Sequence, residues 1–113
     1  MLHFQKLDVY QRAIEFLTVA NCIRGRLPKG NADLADQLRR ASQSIPQNIA
    51  EGCGRTSRAD KAKYYTIARG SAMECAAHLD VMKVDELVES ELYERGVDLL
   101  ERIVAMLTKL IDP

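Results

Sequence analysis

Tryptophan does not occur in the sequence, and aromatic residues make up only 5% of it. A core resting on stacked aromatic rings is thereby excluded. The 47% of hydrophobic residues must pack mainly as Leu, Ile, Val, Ala and Met, which suits helices better than a sheet sandwich. An excess of either charge is also missing: sixteen Lys plus Arg balance sixteen Asp plus Glu, unlike a dedicated phosphate-binding domain. Cysteine occurs only at Cys22, Cys53 and Cys75, an odd number with no CxxC spacing, which argues against a disulfide framework or a zinc site. Histidine is limited to His3 and His78. One Glu74-x-x-x-His78 pair falls short of the two Glu-x-x-His pairs of a di-iron bundle, so no metal and no cofactor are expected, and no catalytic triad is marked. No apolar run approaches the ~18 residues of a membrane span, and MLHFQKLDVYQ lacks the apolar stretch of a signal peptide. The expectation is a cytoplasmic protein with no membrane association.

What is present is helical periodicity. The 113 residues suffice for one core, so the chain reads as a single domain over 1–113. Val9, Ala13, Phe16, Ala20, Ile23 and Leu27 alternate steps of four and three and predict a first helix from about Lys6, ended by Leu27-Pro28-Lys29-Gly30-Asn31. A second helix is predicted from about Asp33 to Glu51, with Leu34, Leu38, Ala41, Ile45 and Ile49 inward and Gly52 as its left-handed terminator. Ser57 is a good N-cap for a third helix carrying Tyr65, Ala68, Ala72, Cys75, Leu79 and Met82 and ending near Lys83. Leu92, Gly96, Leu99, Ile103, Met106 and Leu110 continue the rhythm to the C-terminus. The fold class is all-α: an up-down-up-down antiparallel four-helix bundle. A second apolar row on the last helix, and Tyr10, Ile14 and Leu17 beside the first seam, exceed what one core needs and point to an oligomer.

Charge is distributed unevenly. Eight acidic residues against three basic follow from Asp85 onward, so residues 1–84 carry the compensating basic excess. Gly52-Cys53-Gly54-Arg55-Thr56-Ser57 lacks phosphate-loop spacing and follows a helix, which excludes a nucleotide P-loop but leaves an anion at the third helix's N-terminus near Arg55 and Arg58. No nucleophile, base and acid converge, and the chain is read as a non-enzyme.

LDVYQRA, LPKG, QLRRASQSIPQNIAEGCGRTSRAD and YYTIARGSAMECAAHL together resemble one family over about residues 4 to 80. It is the four-helix-bundle family named for the protein encoded in intervening sequences of bacterial 23S ribosomal RNA genes. The resemblance implies a ring, typically a pentamer, without enzymatic activity. A related branch, the accessory variability protein of diversity-generating retroelements, pairs such a pentamer with a reverse transcriptase and has a basic, nucleic-acid-binding surface. Two functions follow as expectations. One is an oligomer binding RNA or DNA through Arg39, Arg40, Arg55, Arg58, Lys61 and Lys63. The other is a structural ring whose partner is another protein.

Two local features complete the reading. Gln37, Arg40, Ser44, Asn48 and Glu51 form a polar stripe on the second helix, facing Gly70, Ser71 and Glu74 on the third. Antiparallel packing from a turn near Ser57 places residues whose numbers sum to about 114 opposite one another, so Arg40 is expected to pair with Glu74 and Ser44 to face Gly70, with Gly70, Ser71 and Ala72 letting a helix approach closely. Pro46 cannot donate to the Ser42 carbonyl and is expected to kink the second helix, with Ser42 or Ser44 satisfying part of the loss.

Overall fold

The computed structural model describes residues 1–113 and contains four α-helices and no strand. They are α1 (Asp8–Gly25), α2 (Ala32–Cys53), α3 (Arg58–Val84) and α4 (Ser90–Ile111), preceded by a 3₁₀ turn at His3–Lys6. The break between that turn and α1 is Leu7, held extended at φ −67° and ψ 136°, so α1 starts two residues later than its seam suggests. Each helix packs beside two others: α1 on α2 and α4, α3 on α2 and α4, with no backbone approach between α1 and α3 or between α2 and α4. The α1/α2 and α3/α4 sides are therefore opposite sides of the bundle, which measures 45 × 24 × 21 Å.

One continuous core fills the centre, with Phe16, Ile23, Leu38, Ile45, Ile49, Leu79, Met82, Ile103 and Leu107 almost wholly buried. The sequence seams supply it: on α3, for example, Tyr65, Ala68, Ala72, Cys75, Leu79 and Met82 are all buried. Ser57 caps α3 as expected, its Oγ accepting the Asp60 N–H at 3.0 Å.

The glycines act differently from expectation. Gly52 is not a left-handed terminator; α2 runs through it to Cys53, and the only glycine with positive φ is Gly30, at 98° in the α1–α2 turn. A Cβ on Gly52 would lie 2.7 Å from Tyr65 Cε1 and 3.2 Å from the Lys61 carbonyl, so glycine is required by close packing. Gly70 also differs: its Cβ would meet nothing within 4 Å, so within this chain it admits no neighbouring helix. Gly96 on α4 has that role instead, with Leu79 Cδ1 2.9 Å and Phe16 Cε1 3.5 Å from where its Cβ would stand. The left-handed helix terminator is Glu86, at φ 57°, which lets Leu87 N–H reach the Met82 carbonyl at 2.8 Å.

Helix α2 runs through Pro46 without a break. The expected rescue by serine does not occur: the Ser42 hydroxyl donates to the Arg39 carbonyl at 3.1 Å, while Ser44 Oγ accepts from Asn48 and Ser71. No helix is long and apolar enough to cross a membrane.

Candidate nucleic-acid interface

The residues between α2 and α3, Gly54 to Ser57, are few, and the side chains around them tie the two helices together. Arg55 Nη2 donates to the Tyr64 hydroxyl at 2.9 Å and pairs with Glu51 Oε2 at 3.1 Å, while its guanidinium carbon lies 4.6 Å from the Tyr64 ring centroid. Its Nε is shielded from solvent without an acceptor, so the ring face is the partner left to that side of the cation. Lys63 Nζ lies 5.7 Å from the same ring centroid. Lys61 Nζ donates to the Cys53 carbonyl at 3.0 Å, satisfying one of the carbonyls that the end of α2 leaves free. Arg58, Lys61 and Lys63 have no carboxylate within ion-pair distance, so their charges remain available to an anion. Glu51 and Asp60 lie close in sequence and reduce the net positive charge of the turn.

The six sequence-predicted binding residues do not form one patch. Arg55, Arg58, Lys61 and Lys63 gather at the turn, whereas Arg39 and Arg40 lie some fifteen residues earlier on α2, about 22 Å away along the helix. There Asp36 holds both: Oδ1 accepts from Arg39 Nη2 at 2.7 Å and Oδ2 from Arg40 Nε at 2.9 Å. Hydrogen bonds from Arg39 and then Arg40 hold the Asp36 carboxyl below its usual range. The local signal for this was in the sequence, since Asp36 precedes the two arginines by three and four residues on one helical face. Tyr64, the other residue missed, sits across the turn from Arg55 and carries no comparable local signal.

The polar stripe is only partly a seam. Ser71 Oγ donates to Ser44 Oγ at 2.8 Å, and Asn48 Nδ2 donates to Ser44 O at 2.8 Å and Oγ at 3.0 Å. Opposed residues thus sum to 115 here, one residue from the expected register, and Ser71 rather than Gly70 faces Ser44. Gln37, Arg40, Glu51, Gly70 and Glu74 are exposed at its edges. The expected Arg40–Glu74 pair does not form: Arg40 turns to Asp36 one helical turn away, and Glu74 Oε2 lies 3.2 Å from His78 Nε2. Both still line the same open depression with Asp33, Asp36 and Gln37. In water, an exposed arginine gains nothing by reaching across helices when a carboxylate is available on its own.

Cys53 is half-buried beside the turn, whereas Cys75 is buried in the core and burial pushes its thiol up to about 12. No cluster of three or more His, Cys, Asp or Glu side chains is arranged to hold a metal ion.

A family model for the 23S rRNA-intervening sequence protein matches residues 5–109, which extends the likeness through the acidic α4. Among solved structures, a protein with unknown function from the S23 ribosomal protein family of Bacteroides thetaiotaomicron VPI-5482, determined at 1.70 Å, superposes with a TM-score of 0.85. The two chains are 25% identical, and the match covers 93% of this chain and 99% of that one. No curated protein sequence matches.

Proposed function

Because the chain belongs to the 23S rRNA-intervening sequence protein family, we propose that it is a non-enzymatic, cytoplasmic ring of identical subunits, a pentamer, that associates with RNA or another nucleic acid through the α2–α3 turn. The subunit in this reading is a single up-down-up-down antiparallel domain bent at Pro46. Neighbour-only helix packing supports the topology, and a Ser42 carbonyl without side-chain rescue supports the bend.

The observation that carries the assembly is a pair of apolar grooves on opposite sides of the bundle. One is lined by Tyr10, Ile14, Leu17, Pro46 and Ala50 between α1 and α2. The other is lined by Ala76, Val97, Leu100, Val104 and Ala105 between α3 and α4. Two different apolar faces on opposite sides suit head-to-tail contact, which closes into a ring when the rotation between neighbours allows it. A ring repeats the modest positive charge of each turn, and several weak sites acting together bind far more tightly than one.

Salt-dependent retention of single-stranded RNA tests the reading, with the assembly mass measured on the same sample. Arg58→Ala is expected to flatten the slope of log K against log salt by about 0.7 if that side chain contacts one phosphate. A ring that retains no RNA even at low salt favours the second reading, a protein-binding oligomer such as an accessory subunit to a reverse transcriptase. The pairing of Arg39, Arg40 and Arg55 with carboxylates favours that alternative.

A further inference from the structure

Four of the eight large apolar side chains that stand exposed belong to α3: Ile67, Met73, Val81 and Val84, the last 81% exposed. With exposed Gly70 and Ala77 they recur at steps of three and four on the side of α3 turned away from its buried seam, where polar Thr66 and Glu74 stand among them. The outward positions of the other helices are mostly polar, Gln11, Thr18 and Asn21 on α1, Gln37 and Gln47 on α2, Glu94 and Asp98 on α4, with Ile14 on α1 and Leu110 on α4 as isolated apolar exceptions. Nothing in the chain approaches Gly70, and a glycine inside a helix is unfavourable unless something requires it.

The two ends of this ridge carry opposite charge. The first two turns of α3 hold Arg58, Lys61 and Lys63 against Asp60, while its end holds Asp80, Asp85 and Glu86 against Lys83. Each end thus has a net two charges of its own sign, three less one.

We propose that the outer ridge of α3 packs against the same ridge of a second copy of this chain, the two α3 helices lying antiparallel across a twofold axis midway between Gly70 and Ala77. In this register Gly70 faces Ala77 of the partner subunit, and Ala77 faces the partner's Gly70. The narrowest points of the two ridges coincide, and the backbones can approach closely. Ile67, Met73 and Val81 close over the contact, and Lys63 comes opposite Val84 of the partner subunit, one residue from the partner's Asp85. Antiparallel pairing joins each basic end to an acidic one; parallel pairing would join like to like. Self-complementarity of this kind identifies a second copy, since an unrelated helix would need both ends matched to it. The ridge is distinct from the two grooves, sharing only Met73 at its edge, so the contact stands independently of the ring.

Zero-length carbodiimide coupling of Lys to carboxylates, followed by peptide mass spectrometry of the full-length protein, tests the register. Lys63 and Asp85 are 22 residues apart at the two ends of one helix, about 33 Å, so a link between them must join two copies. The expected product joins Lys63 to Asp85 or the adjacent Glu86. Sedimentation gives the second readout: Ala77→Glu, at an exposed position, halves the particle mass with unchanged helical circular dichroism, whether the particle is a pair of subunits or a pair of rings. Cross-linked peptides without that pair, or an Ala77→Glu protein of wild-type mass, overturn the proposal.

Discussion

Replacing Gly52 and Gly70 by alanine, one at a time, should move stability in opposite directions although both lie inside helices. Alanine in place of a helical glycine contributes about 1 kcal/mol through backbone entropy. At Gly70 nothing in the chain lies within 4 Å of the added methyl, so in the dissociated subunit that gain is expected in full. At Gly52 the methyl would sit 2.7 and 2.9 Å from two carbons of the Tyr65 ring and 3.2 Å from a backbone oxygen. Tyr65 is only 6% exposed and cannot swing away freely. Overpacking of this kind costs about 1–3 kcal/mol, which outweighs the helical gain and leaves a net loss of roughly 1 kcal/mol. The two variants should differ by about 2 kcal/mol, or roughly 8 °C in Tm for a chain of this length. Urea denaturation at one low, fixed protein concentration checks it, because self-association adds its own stabilisation. In a Tyr65→Leu background the penalty at Gly52 should shrink, which assigns it to the ring. Gly52→Ala as stable as Gly70→Ala would refute the reasoning.

Glu86→Gly should raise stability by about 1 kcal/mol, read as a shifted denaturation midpoint, because it relieves a left-handed backbone at a non-glycine residue. Asp36→Asn should strengthen retention of single-stranded RNA at low salt, since it releases the charges of Arg39 and Arg40; unchanged retention would place those arginines outside the binding surface. Cys75 should resist alkylation in the native protein while half-buried Cys22 and Cys53 react first, as followed by mass spectrometry. The same burial sets a pH dependence. With the folded thiol raised to about 12 from an ordinary 9.0, its contribution is intact below about 9 and is lost as pH rises toward 12, which Cys75→Ala should remove from a stability profile.

The parts of this fold legible in the sequence are those fixed by periodicity. Phe16, Ile45, Leu79 and Ile103 are buried where their seams place them, because a core of aliphatic side chains leaves helical spacing as the dominant signal. The Ser57 cap was legible for the same reason, being a local hydrogen bond to a backbone three residues on. Gly52 reads as a terminator because a terminating glycine and one that admits a neighbouring ring look alike in sequence. Cross-helix register pairs Arg40 with Glu74, and the competing Asp36 one turn away prevails in solvent. The basic residues were legible as a composition, but their division into a turn cluster and a neutralised pair follows from helix length.

The three turns are tied to unequal degrees, and this determines where the chain can accept added sequence. Between α2 and α3, Arg55 and Lys61 bind across the corner, and the Ser44–Ser71 bond depends on the register that the corner sets. One inserted residue there would slide every later α3 side chain past its α2 neighbour. Between α3 and α4, the Tyr93 hydroxyl donates to Asp80 at 2.6 Å and holds the second corner in the same way. In the α1–α2 turn Arg26 pairs with Glu89 ahead of α4, but beyond it only the local Asn31 bond to the Pro28 carbonyl spans exposed Lys29 and Gly30. An epitope or fluorescent label belongs between those two residues, where the helices it separates keep their register through the core.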